Sequence, residues 1–123
     1  MAKVIKVSLS RQVLTALDGE KQIYRFDCTT GDRKNLTPTG SFSIYRKDRR
    51  HFSAKYKAQM DFAMFFKGGV AIHMSHAVGV TSYLKLAGLD YFGSHGCVRL
   101  TEADAKVLFD WAPRGTRVLV TTA

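Results

Sequence analysis

Short stretches of alternating apolar and polar residues, each cut off by glycine, proline or an Asp-Gly pair, recur along most of this chain, and their period of two commits it to β-strands. Ile5, Val7 and Leu9 alternate with Lys6 and Ser8, and a second strand runs through Val13 to Leu17. Asp18-Gly19 reads as a hairpin turn, because glycine accepts the positive φ such turns need, with Ile23 to Thr29 as the returning strand. Gly31, Pro38 and Gly40 punctuate the next connection before alternation resumes over Ser41 to Tyr45, while 50–66 receives no assignment. Val70-Ala71-Ile72 forms a short apolar strand that delivers His73 at its end, where a side chain reaches a cleft while its backbone stays in the sheet. Helical spacing begins at Thr101, which caps, with Asp104 three residues on and Ala103, Val107 and Trp111 sharing a face. Pro113 and Gly115 stop that helix, and Arg117 to Thr121 closes as a strand. Many short strands with one late helix predict a mainly β sandwich with one packed C-terminal helix, and 123 residues suit a single domain over 1–123.

Composition narrows the classes. No apolar run approaches the roughly 20 residues of a membrane helix, so no span is expected. The net charge of +9 favours anionic partners. Its densest cluster, Arg46 to His51, lacks the aromatic interleaving of a single-strand nucleic-acid platform, and no helix-turn-helix or zinc-finger spacing accompanies it. Nucleic acid is therefore not an expected partner, and the cluster reads as a solvated loop. The opening residues pass straight into strand alternation, leaving no room for the regions of a signal peptide. Two cysteines are too few for a disulfide framework, and Cys28, on one strand face with Tyr24 and Phe26, reads as a buried core thiol.

The other cysteine stands in a different setting. In Ser94-His95-Gly96-Cys97-Val98-Arg99 it is flanked by glycine and lies within folding reach of His73. A free thiol is mostly protonated at neutral pH, so a nucleophilic Cys97 needs a partner to take its proton, and His73 is the candidate base. Gly96 lets the backbone approach a carbonyl, and the amides around Cys97 could then face a developing oxyanion. His95 and Arg99, each two residues from Cys97, share its face of an extended segment. His95 is read as shaping the oxyanion loop with Ser94, although it could also approach the thiol. Arg99 either holds a substrate carboxylate or ties the loop down. His76 is a rival base and, with Arg99, a candidate substrate contact; Gly69 to Ile72 gives His73 the better strand context. His73, His76, His95 and Cys97 are also four ligand types that zinc accepts, which keeps a metal-binding module as a competitor. A phosphatase cradle would need arginine where Ala103 stands.

His73 followed by Ser94-His95-Gly96-Cys97-Val98-Arg99 resembles the signature of the YkuD-type L,D-transpeptidase catalytic domain. Ile5 to Gln12 is similar to that family's opening strand, Thr29-Thr30-Gly31 and Thr37 to Phe42 to two of its turns, and Gly115 to Val118 to its closing strand. The resemblance implies a β-sandwich with a helix packed on it. It also implies a reaction in which Cys97 forms a thioacyl enzyme on a peptidoglycan stem peptide and an amine of a second stem resolves it into a cross-link. Water as acceptor would make the same site an L,D-carboxypeptidase or endopeptidase. The base would be oriented by a backbone carbonyl of Met74 or Ser75. Neither metal nor cofactor is implied; carbapenems are implied as inhibitors, and the periplasm or cell wall as the location. The chain departs from the pattern in two ways: 24 positions separate His73 from Cys97, more than the family's usual interval, and Met74 stands where glycine is common. The resulting enlarged loop over 74–93 could cap the cleft, bind the acceptor, or form a packed surface excursion. A different class remains beside the enzyme: a wall-polymer-binding domain in which Cys97 is merely buried.

Overall fold

The computed structural model describes residues 2–31, 36–54, 58–75 and 96–123. Its strands are β1 (Lys3–Ser8), β2 (Val13–Asp18), β3 (Lys21–Asp27), β4 (Gly40–Ser43), β5 (Arg46–Asp48), β6 (Phe52–Ser53), β7 (Ala58–Gln59), β8 (Ala63–Lys67), β9 (Val70–Met74), β10 (Val98–Leu100) and β11 (Arg117–Thr121). Among the described residues there is one α-helix, α1 (Glu102–Trp111), between β10 and β11. The strands form a five-stranded sheet in the order β3-β2-β1-β11-β4, a four-stranded sheet in the order β10-β9-β8-β5, and a small β6-β7 hairpin. The mainly β sandwich with a packed C-terminal helix is thus what the chain adopts.

The alternation read from sequence places the core. Ile5 pairs with Ala16 on one side and Val118 on the other, and Val7 with Leu14 and Val120. These six form two cross-strand rows on one face of the larger sheet, all buried. Met64, Ile72 and Val98 make a matching row on the smaller sheet. Both sets, with Phe66, Met74 and Leu100, belong to one apolar cluster. The β2-β3 turn is the expected one: Gly19 takes φ 65°, which glycine adopts without steric cost. The unassigned stretch 50–66 contains β6, β7 and most of β8. β8 buries residues on both of its faces, so it shows a continuous apolar run and no alternation.

Two expectations need correction. Helix α1 does start at Thr101, whose hydroxyl accepts from the Asp104 amide at 3.2 Å. However, its buried side is Ala105, Leu108 and Phe109, continued by Ala112, while Ala103 and Val107 are exposed and Trp111 is half-buried. The i, i+3, i+4, i+7 stripe beginning at Ala105 carries more apolar area than the one beginning at Ala103, and the larger stripe turns inward. The basic cluster is only in part the expected solvated loop: Arg49 and Arg50 form an exposed bend, but the cluster opens as a strand. Arg46–Asp48 is strand β5, and its cations lie on aromatic rings supplied by β8, α1 and the segment before β8. Arg46 sits over Phe65, Lys47 over Phe109 at 4.2 Å, and Arg49 over Phe62 and Phe109. Lys47 also donates to the Phe109 carbonyl and Lys3 to that of Trp111, so two lysines from distant strands satisfy the C-terminal carbonyls of α1. Burial against the helix lowers the Lys47 pKa. Among the described residues no helix is long and apolar enough to cross a membrane.

Candidate active site

The smaller sheet has a second face, and on it the chemistry-bearing residues gather. Strands β9 and β10 run parallel with Ile72 beside Val98, His73 beside Arg99 and Met74 beside Leu100. Since side chains alternate, Ile72 and Val98 enter the central core, while His73 and Arg99 stand together on the opposite side. Cys97 immediately precedes β10 and shares the face of Arg99. There it packs with Met60, Ala63, Phe65 and Ala71 in a separate apolar cluster. Cys97 is 5% exposed and His73 7%.

The backbone fixes both groups. The Nδ1 of His73 lies 2.8 Å from the Met74 carbonyl, which can only accept, so Nδ1 carries the hydrogen and Nε2 keeps its lone pair. The carbonyl is itself held, because the Met74 amide donates to the Asp61 carbonyl at 2.9 Å and the Ser75 amide to the Leu100 carbonyl at 2.7 Å. The Sγ of Cys97 receives the Ala71 N–H at 3.5 Å. Burial draws the His73 pKa down to about 4, with Arg99 adding to the effect and the Met74 carbonyl and Asp61 opposing it. Burial pushes the Cys97 thiol up, against the opposing pull of the Ala71 amide and Arg99. Both shifts favour an uncharged thiol and an uncharged imidazole in the resting state. Arg99 is partly buried and held near the sulfur, where a positive charge favours the thiolate once it forms.

Cys28 is buried as predicted, in the central cluster rather than on this face. Gly96 is buried with φ 111°, a conformation side chains rarely adopt, which is the backbone freedom expected of it. Its carbonyl accepts from the Thr37 hydroxyl at 2.8 Å. Thr37 was legible only as part of a turn, since 59 residues separate it from Gly96. The structure therefore brings Cys97, Gly96, His73 and Arg99 together. His76, Ser94 and His95, and the enlarged loop from 76 onward, lie outside the described residues. Among the described residues no group of three His, Cys, Asp or Glu side chains could hold a metal ion, and two of the four ligands of the zinc reading, His76 and His95, are outside them.

Comparison with known proteins agrees in extent as well as in fold. The family model for the L,D-transpeptidase catalytic domain, YkuD, matches residues 2–120. An L,D-transpeptidase from Stackebrandtia nassauensis superposes with a TM-score of 0.85 at 28% identity, over 98% of this chain and 56% of that one. An L,D-transpeptidase from Xylanimonas cellulosilytica gives 0.81 at 29% identity, over 98% and 60%. An L,D-transpeptidase solved in complex with imipenem gives 0.84, over 98% and 59%, and at 22% identity shows the shared fold alone. No curated protein sequence is similar enough to count as a match. The chain spans somewhat over half the length of these solved proteins, yet the family match runs almost from its first residue to its last. On that match, this chain belongs to the L,D-transpeptidase catalytic domain family.

Proposed function

We propose that the chain is a cysteine-dependent L,D-transpeptidase that acts outside the cytoplasm on peptidoglycan stem peptides, with Cys97 as nucleophile and His73 as base. The observation that carries this reading is the His73 ring, whose Nδ1–H is pinned to the Met74 carbonyl so that Nε2 keeps the lone pair of a proton acceptor, on the sheet face that Cys97 shares.

Nε2 takes the thiol proton as Sγ attacks the carbonyl carbon between the diamino acid and the terminal D-amino acid of the donor stem. Because burial keeps thiol and imidazole neutral at rest, charge separation occurs during attack, with Arg99 favouring the forming thiolate. The negative charge then moves to the carbonyl oxygen, where the Cys97 amide is the natural donor. Collapse of the tetrahedral intermediate breaks the C–N bond, and the imidazolium returns its proton to the leaving amine. An acceptor amine attacks the thioester, loses its proton to Nε2, and expels the thiol, which is reprotonated. The product is a cross-link between diamino acids, or an exchanged terminal residue when a free D-amino acid is the acceptor. Water in the acceptor's place gives carboxypeptidase or endopeptidase action from the same geometry.

Intact-protein mass spectrometry after incubation with a carbapenem tests the nucleophile, the probe being motivated by the structural neighbour that holds imipenem. A single adduct lost only in Cys97→Ala supports the reading, and folded wild-type protein without an adduct overturns it. A stem tetrapeptide supplied with and without an amine acceptor then separates transfer from hydrolysis.

A further inference from the structure

A chain of buried hydrogen bonds runs from the β1-β2 turn to the residue before the proposed nucleophile. The β1-β2 turn places Gln12 at φ 54°, an uncommon conformation for a residue with a side chain, and buries it to 2% exposure. Its side-chain Nε2 donates to the Leu9 carbonyl and to the Thr30 hydroxyl, each at 2.7 Å, while its Oε1 accepts the Thr30 amide at 3.1 Å. The next residue, Gly31, donates its amide to the Thr37 hydroxyl at 2.8 Å. Because that hydroxyl oxygen is already accepting, its own hydrogen is directed to the Gly96 carbonyl, also 2.8 Å away. One residue before Thr30, Thr29 exchanges two backbone hydrogen bonds with Arg99, so both sides of Cys97 are tied to the same segment.

We infer that Thr37 is a positioning residue for acylation: its hydroxyl, aimed by Gly31 and backed by Gln12, fixes the Gly96–Cys97 peptide so that the Cys97 N–H faces the oxyanion. The physical reason is peptide planarity. In a trans peptide the C=O of Gly96 and the N–H of Cys97 point in opposite directions, so holding one aims the other. Glycine at φ 111° lets that peptide plane swing at little cost, and an outside clamp is what prevents it. The inference rests on the acyl-transfer reading above, since only a carbonyl attacked by Cys97 makes the direction of that amide matter.

Two reactions of the same thiol separate positioning from general damage. Acylation by imipenem passes through an oxyanion, whereas alkylation by iodoacetamide is a displacement at carbon that builds none. In a Cys28→Ala background, Thr37→Val is expected to slow imipenem acylation about 10- to 100-fold while changing alkylation of Cys97 by less than about twofold, with Thr37→Ser restoring acylation. Should Thr37→Val fail to fold by circular dichroism, Thr37→Ala replaces it under the same expectation. Acylation at the wild-type rate without the hydroxyl, or a parallel fall of both reactions, overturns the positioning role alone. Wild-type protein that alkylates but is never acylated overturns the acyl-transfer reading and this inference with it.

Discussion

The two faces of the four-stranded sheet each look onto a buried cysteine, and the two thiols are in opposite circumstances. Cys28 lies in the central cluster among Ile72, Val98 and Leu100, where burial and the neighbouring Asp27 carboxylate push its pKa up to about 12. Cys97 lies on the other face, also buried, but with the Ala71 amide and the Arg99 guanidinium drawing its pKa back down and a histidine on the same face. Burial alone makes a thiol inert. What distinguishes the outer face is that each group there that can carry charge has a dipole or an opposite charge arranged before the charge appears. The strands contribute equally to both faces, one residue in two, so a single β9 supplies Ile72 to the core and His73 to the face of the proposed site.

The comparison breaks most completely if the wrong thiol reacts. Cys97→Ala is expected to abolish the carbapenem adduct and all turnover, and Cys28→Ala to leave the adduct stoichiometry unchanged; an adduct that follows Cys28 reverses the assignment of the faces. Next in size, His73→Gln is expected to lower the acylation rate by about 10²- to 10⁴-fold with the fold retained, measured by mass spectrometry over time. A variant that acylates at the wild-type rate removes His73 from the proton's path.

A third expectation concerns pH. The His73 imidazole is held near 4 in the folded chain against an ordinary 6.5, so between those values the unfolded chain binds a proton that the folded one refuses. Stability from this group is therefore complete above pH 6.5 and declines as pH falls toward 4, by about 3 kcal/mol given about 1.4 kcal/mol for each tenfold difference in proton affinity. Denaturant titrations at several pH values should show that slope in wild type and its loss in His73→Gln; equal slopes place the titrating group elsewhere. The smallest effect sharpens the contrast. Ile72→Val, one residue from the proposed base but facing inward, should cost about 1 kcal/mol of stability and leave the acylation rate where it was.

Much of this arrangement is legible without coordinates because it depends on local rules. Ile5, Val7 and Leu9 announce β1, Asp18-Gly19 announces its hairpin, and Thr101 with Asp104 announces the helix start. His73 at the end of an apolar run is legible for the same reason. The fully buried β8 is not, since a strand covered on both sides loses the alternation that identifies it. Nor is the inward stripe of α1, because two apolar stripes compete and only the sheet beneath decides between them. The grip of Thr37 on Gly96 and the stacking of Lys47 on Phe109 are invisible for a further reason: each joins residues far apart in sequence, and neither partner carries a local sign of the other.

The parallel pairing of β1 with β11 also bears on how the molecule comes to exist. β11 is laid between β1 and β4 in the interior of the larger sheet, so Val4 finds Arg117 only after all the chain between them has been made. Contacts so distant along the chain are slow to form, because the entropy of closing the intervening loop is lost before any contact repays it. A ribosome-bound chain that stops short of β11 has β1 and β4 as two open edges and no finished core. Assembly therefore waits on β11, and both thiols stay open to oxidants until that strand arrives.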